Sequence, residues 1–154
     1  IISSDCHKIR QHVNKGKTDI FTFQLFNTSG NPFEYFSSKA HKHQYNKKII
    51  MSNSGKLNPF YDDGLLGTTQ DSMYILVNSK EEGTMLVDTL KSKLFTFLIK
   101  ICQWGNFRNE SQLFTYLKYP NIIQTQNKKI DDTFLTKYYK LNDVEIQFIN
   151  KYNI

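Results

Sequence analysis

Apolar and polar positions follow two regimes along the chain. Up to about residue 78 the apolar residues come in short runs bounded by turn formers. The run Ile20, Phe21, Thr22, Phe23, Gln24, Leu25, Phe26 is aromatic and β-prone, and Asn27, Thr28, Ser29, Gly30, Asn31 and Pro32 follow it, which predicts a strand and its turn. After residues 33–36 comes a Lys-, His- and Gln-rich stretch over 37–48, suited to a solvated loop, an exposed strand edge or a surface facing phosphates. Ile49, Ile50 and Met51 form a run that stops at Ser52, Asn53, Ser54 and Gly55. Met73, Tyr74, Ile75, Leu76 and Val77 form another after the turn-rich 61–71. These two runs are expected to pair as central strands.

The second half changes period. Leu86, Leu90, Leu94, Phe97, Leu98 and Ile101 recur every three or four residues, which predicts one long helix over about 80–102 with Lys91, Lys93 and Lys100 largely off its apolar stripe. Asn109 with Gln112, and Asn142 with Glu145, have capping-box spacing and predict a short helix ending near Lys118, Tyr119 and Pro120 and a last helix. Residues 124–132 are polar enough for a surface loop. The pattern as a whole predicts an α+β domain: a small mixed or antiparallel sheet in the N-terminal half, followed by packed α-helices. One domain is expected over 1–154, strand-rich and basic over 1–78 and mainly helical over 79–154.

Composition narrows the class. A chain of 154 residues, 39% hydrophobic and 14% aromatic, can bury roughly 70% of its unfolded surface without disulfides or metals, and it has no apolar run near the ~20 residues that span a bilayer. A soluble protein without a membrane partner is expected. The chain opens on Ile1, Ile2, Ser3 and Ser4, with neither an initiator Met nor the zones of a secretory signal, and is expected to be a piece of a longer protein. Two cysteines, Cys6 and Cys102, give no reason to expect an oxidising compartment, so free thiols and an intracellular location are expected.

Charge adds a partner class. The net charge is +6, and all of the surplus lies in residues 1–60, which hold nine basic against three acidic residues; residues 61–154 hold eleven of each. His7, His12, His41 and His43 lie in the basic segment too. Such a surplus either makes a basic face that attracts phosphate backbones or is the ordinary surface of a lysine-rich protein.

Three segments in order carry a family resemblance. Residues 48–57 read Lys-Ile-Ile-Met-Ser-Asn-Ser-Gly-Lys-Leu; Tyr61, Asp62, Asp63 and Gly64 follow; residues 67–77 read Gly-Thr-Thr-Gln-Asp-Ser-Met-Tyr-Ile-Leu-Val. This order resembles the core of TaqI-like target-recognition domains of adenine-specific DNA methyltransferases and type II restriction-modification enzymes. There a strand and loop lead to a tyrosine-aspartate turn, a Gly-Thr-Thr-Gln-like loop, a hydrophobic strand and a helix with an Asn-Ser-Lys-Leu-type motif. Leu90, Lys91, Ser92, Lys93, Leu94 and Phe95 stand at that motif, with Lys91 where the family commonly has Asn, and residues 101–107 look like the exit from that helix. The likeness covers about 46–120; residues 139–146 also look like a closing helix, and residues 1–45 match less clearly. It implies a module that binds double-stranded DNA beside a catalytic methyltransferase or nuclease domain of the same parent protein, with no cofactor in this part.

The candidate DNA contacts have bland counterparts. Thr68, Thr69 and Gln70, after Gly67, either offer hydroxyls and an amide to adenine on a flexible backbone or form a polar turn with its caps satisfied. Ser52, Asn53 and Lys56, with Ser54 and Gly55, make a polar loop able to hold a phosphate or simply to turn; the loop lacks the first glycine of a P-loop. Lys39, Lys42, His43, Lys47 and Lys48, with Tyr35 and Tyr45 interleaved, are the candidate backbone-neutralising set, against the alternative that each lysine is merely solvated. Arg108 either reaches a guanine edge or covers Trp104 and Phe107.

Metal and catalytic signals are weak. Cys6, His7, His12, His41 and His43 include zinc-type ligands, but their spacing fits no standard site. Asn58, Pro59, Phe60 and Tyr61 resemble the adenine-methyltransferase tetrapeptide superficially, with one proline where that motif has two. Asp62, Asp63 and Asp71 lack the acidic-x-Lys partner of a metal-dependent nuclease, and no Ser/His/Asp set is recognisable. No catalytic or metal-ligating residue is assigned. The expected mechanism is positioning: lysines neutralise phosphates and polar loops read base edges. A divergent metal-dependent endonuclease and a protein-interaction module that kept the fold are the competing readings.

Overall fold

The computed structural model describes residues 2–3, 12–28, 31–103, 108–109, 111–121, 125 and 129–152. Its strands are β1 (Ile2–Ser3), β2 (Val13–Lys15), β3 (Phe23–Phe26), β4 (Tyr35–Ser37), β5 (Lys47–Ser52), β6 (Phe60–Asp63), β7 (Gly67–Thr68) and β8 (Ser72–Leu76). After them come α1 (Lys80–Lys91), α2 (Lys93–Ile101), α3 (Leu113–Tyr116), α4 (Asp132–Tyr138) and α5 (Asp143–Lys151). The class is α+β, with the expected switch from strands to helices, but the strands form two sheets. One, in the order β1-β8-β5-β6, is antiparallel throughout; the other, β2-β4-β3-β7, is mixed because β7 runs parallel to β3.

The two strongest apolar runs pair as the pattern predicts. β5 lies against β8 with Ile49 opposite Ile75, Ile50 opposite Tyr74 and Met51 opposite Met73. Lys48, Ile49, Ile50 and Met51 are all fully buried, so β5 is covered on both faces. Alternation along the strand divides them. Ile49 and Met51 join the core made with α1 and α2, whereas Ile50 joins Phe26, Leu66 and Tyr74 on the side of the second sheet. Fully burying one such side chain stabilises the fold by about 1.5–3 kcal/mol, which makes β5 the anchor of the molecule.

The expected long helix over 80–102 is instead two helices. Ser79 caps α1 by accepting from the Glu82 amide at 3.1 Å, and α1 buries Leu86, Val87 and Leu90. At Ser92 the backbone turns extended (ψ 156°); its hydroxyl donates to the Thr89 carbonyl at 2.6 Å and accepts from the Phe95 amide at 3.2 Å, closing one helix and capping the next. Asp132 takes the Lys93 amide at 2.8 Å, which adds a tertiary hold on the same break. The apolar stripe continues across it, with Leu94, Phe95, Phe97 and Ile99 buried.

The two capping-box expectations part company. Asn142 and Glu145 form the reciprocal box at the start of α5. Asn109 caps nothing: α3 starts after Gln112 without a side-chain cap, and the Asn109 side chain turns back to the Ser52 carbonyl and to Gln103. Residues 104–107 of the expected helix exit, Glu110 between the two cap residues, and residues 124 and 126–128 of the expected 124–132 loop lie outside the described residues.

Candidate nucleic-acid interface

At the start of β5, register places Lys48 directly opposite Asp62 of β6. Their side chains, 0% and 3% exposed, meet at 2.6 Å. Lys48 Nζ also donates to the carbonyls of Gln44 at 2.9 Å and Asn46 at 3.1 Å, which occupies all three of its donors. Asp62 in turn accepts from the amides of Gly64, Leu65 and Leu66 at 3.2–3.3 Å. Burial pushes the Lys48 ammonium below its usual pKa, and the Asp62 carboxylate opposes that shift. The pair clamps the 41–47 loop to the 62–66 turn. Gly64 completes the clamp: its φ is +86°, and a Cβ there would stand 2.7 Å from the Tyr45 carbonyl oxygen.

Lys48 is therefore not the phosphate contact it looks like in the sequence. Lys39, Lys42 and Lys47 are exposed and His43 is half-buried, all four between the end of β4 and the first residue of β5. The end is not uniformly basic. Lys47 pairs in register with Asp63 and lies in the field of Glu81, whose carboxyl is held below its usual range first by its own backbone and Ser79 hydrogen bonds and then by Lys47 and Lys80.

The Gly-Thr-Thr-Gln segment is also largely inside. Thr68 and Thr69 are fully buried. β7 pairs with β3, the Thr69 amide donates to the Phe26 carbonyl at 3.1 Å, and the Thr69 hydroxyl donates to Asn27 at 2.8 Å. Gly67 serves close packing, since a Cβ would approach Leu25 Cδ2 to 2.6 Å and His41 Cβ to 2.8 Å. Thr68 and Thr69 cannot touch bases from there, and Gln70 alone of the three is exposed.

At the other end of β5, three candidate segments meet. The Asn53 amide donates to the Asp71 carbonyl at 2.9 Å, beside Gln70; Ser54 pairs with Arg108 as an antiparallel bridge; the Asn109 amide donates to the Asn53 carbonyl at 2.8 Å. Ser52 is half-buried, and its hydroxyl is occupied by the Ser54 backbone, donating at 2.7 Å and accepting at 3.2 Å. Asn53 is half-buried, while Lys56, Gln70 and Arg108 are exposed. Asn109, missed as a site residue, is the tie: 1% exposed, its Nδ2 donates to the Ser52 carbonyl at 3.1 Å and its Oδ1 accepts from Gln103 at 2.6 Å. Its polarity was visible in the sequence, but its local spacing pointed to a helix cap.

No nuclease-like gathering of acids forms among the described residues. Asp62 is sealed against Lys48, Asp63 accepts from the Tyr61 hydroxyl at 2.7 Å, and Asp71 lies at the opposite end of β5. No group of three or more His, Cys, Asp or Glu side chains assembles as a metal site among them. His41 and His43 pack on Tyr74, with ring centroids 5.5 and 5.4 Å away, while Cys6 and His7 lie outside the described residues. The Cys102 thiol is exposed. No described helix is long and apolar enough to cross a membrane. No protein-family model, curated protein or solved structure matches the chain.

Proposed function

We propose that this domain is a sequence-specific, target-recognition DNA-binding module of a restriction-modification methyltransferase or endonuclease, and that it reads duplex DNA with the end of β5 that carries residues 52–56. The observation that carries this reading is the meeting there of three separate segments, which sets Lys56, Gln70 and Arg108 at the surface around one backbone-bonded edge. The chemistry suits the task. A lysine neutralises a phosphate, a glutamine amide pairs with adenine N6 and N7, and the arginine fork matches guanine O6 and N7. Arg108 makes no ion pair among the described residues, so its donors are open to such a partner. The exposed lysines 39, 42 and 47 contribute an outlying, sequence-independent attraction.

In this reading the domain positions and a neighbouring catalytic domain performs the chemistry. Val144, Phe148 and Tyr152, exposed at four-residue spacing on and just past α5, are the apolar surface it offers that neighbour. The test is a titration of fluorescent mixed-sequence duplex with the full chain, at low and high salt and without added metal. Salt-sensitive binding is expected. No binding at low salt refutes the reading and favours a protein-interaction module, whereas magnesium-dependent cutting of the duplex favours the endonuclease.

A further inference from the structure

Tyr45 and Leu65 are each 73% exposed, although both stand on backbone held by the buried Lys48–Asp62 pair. The Lys48 ammonium donates to the carbonyls of Gln44 and Asn46, the residues on either side of Tyr45, at 2.9 and 3.1 Å. Asp62 accepts from the Leu65 amide and from the amides of Gly64 and Leu66 on either side of it. Two further contacts tie the loop to the turn. Gln44 Nε2 donates to the Leu65 carbonyl at 3.1 Å, and the Tyr45 carbonyl lies directly over Gly64. A single exposed leucine or tyrosine needs no explanation. Two of them, carried by the opposite partners of one buried ion pair, do. Replacing both partners of such a pair by apolar residues of similar volume is often no loss, so stability alone does not account for it. What the pair does in this fold is fix the backbone beneath two outward apolar side chains.

Charge and spacing select what these side chains meet. Lys42 and Lys47 share the loop of Tyr45, and Lys39 precedes it; all three are exposed, and Lys39 and Lys42 make no ion pair among the described residues. The nearby acids are engaged. Asp63 lies opposite Lys47 and accepts from the Tyr61 hydroxyl, and Glu81 lies in the field of Lys47 and Lys80. This is the setting for a polyanion that also admits an apolar side chain. β5 is six residues long, which sets Tyr45 and Leu65 roughly 17 Å from the edge that carries Lys56, Gln70 and Arg108. One turn of B-form DNA is about 34–36 Å, so on one face of a duplex a major groove and the next minor groove lie about 17 Å apart.

We propose that Tyr45 and Leu65 form a wedge that opens a base step of duplex DNA from the minor groove, half a turn from the reading edge. The inference rests on the duplex-binding reading of the domain and adds a deformation of the DNA to it. Leu65 enters between the bases, Tyr45 packs on the base face so exposed, and Lys39 and Lys42 take the phosphates alongside. The wedge must be stiff to unstack a step, and the buried pair supplies that stiffness.

The experiment compares two fluorescent duplexes of one sequence, about two helical turns long, one fully paired and one with a single central mismatch. Each is titrated with the full chain, with Tyr45→Ala/Leu65→Ala and with Tyr45→Phe/Leu65→Met, at two salt concentrations and without metal. A mismatched step is already easier to unstack, so the parent should bind that duplex at least about tenfold more tightly. The alanine variant should lose the preference and bind both duplexes within about threefold of the parent's affinity for the paired one, with the salt slope unchanged; the Phe/Met variant should keep the preference. Both positions are exposed, so the melting curves of the variants should superimpose on the parent's. Equal, salt-sensitive affinity of the parent for the two duplexes overturns the wedge and leaves the duplex reading standing, whereas no binding of either at low salt removes both. A preference that survives in the alanine variant overturns the proposal, as does parent self-association that the alanine variant lacks, which would assign the two side chains to a second copy.

Discussion

The two ends of β5 are made from similar sequence, lysines and small polar residues flanking an apolar run, yet the fold uses them in opposite ways. At the first end Lys48 is drawn inside to meet Asp62, and the carbonyls and amides of two loops close around the pair. At the other end the polar groups of residues 52–54 bond mostly to backbone, and Lys56, Gln70 and Arg108 are left outside. The ends are roughly 17 Å apart at about 3.4 Å per strand residue. The difference teaches that charge locates a surface only after strand register has decided which charges are paired. One end is sealed by a buried ion pair, and the other leaves Lys56, Gln70 and Arg108 exposed.

The largest expected effect is at the sealed end. Lys48→Met leaves a buried carboxylate without its cation and should cost about 3–5 kcal/mol in urea unfolding, with Lys48→Met/Asp62→Asn recovering part of it. A cost below about 1 kcal/mol would mean that the pair is solvated, and the contrast between the ends would collapse. Gly64→Ala should follow at about 1–3 kcal/mol, because it forces a side chain into a left-handed φ and against the Tyr45 carbonyl. A melting temperature equal to that of the parent would refute the clamp.

Smaller effects belong to the open end and should leave the unfolding curve alone. Gln70→Ala/Arg108→Ala should weaken duplex binding about tenfold, or about 1.4 kcal/mol, and reduce the salt slope by about 1. Lys39→Ala/Lys42→Ala should lower the salt slope with less than about threefold loss of affinity at physiological salt. The reverse ranking of these two variants would move the interface to the 39–47 end.

What the sequence revealed and what it hid divide along local and non-local lines. The apolar runs of β5 and β8, the switch to helices after residue 79 and the Asn142 capping box depend on near neighbours, and each is legible. Lys48 reads as a surface lysine because its burial depends on a partner fourteen residues away across a register. Thr68 and Thr69 read as a loop because β7 becomes a strand only by pairing with β3. The break at Ser92 was hidden by an apolar stripe that continues through it, although a serine able to cap at both sides was in plain view. Lys56, Gln70 and Arg108 each read from the sequence as candidate contacts with a bland alternative; the meeting of their segments at one edge, and the role of Asn109 in it, requires the chain to be folded.

The most direct test of the central claim is to map a mixed-sequence duplex onto the full chain by amide chemical shifts at low salt. The strongest perturbations are expected at residues 53–56, 70–71 and 108–109, with weaker ones at 39–47. Perturbations confined to 39–47, or none at any duplex concentration, would contradict it.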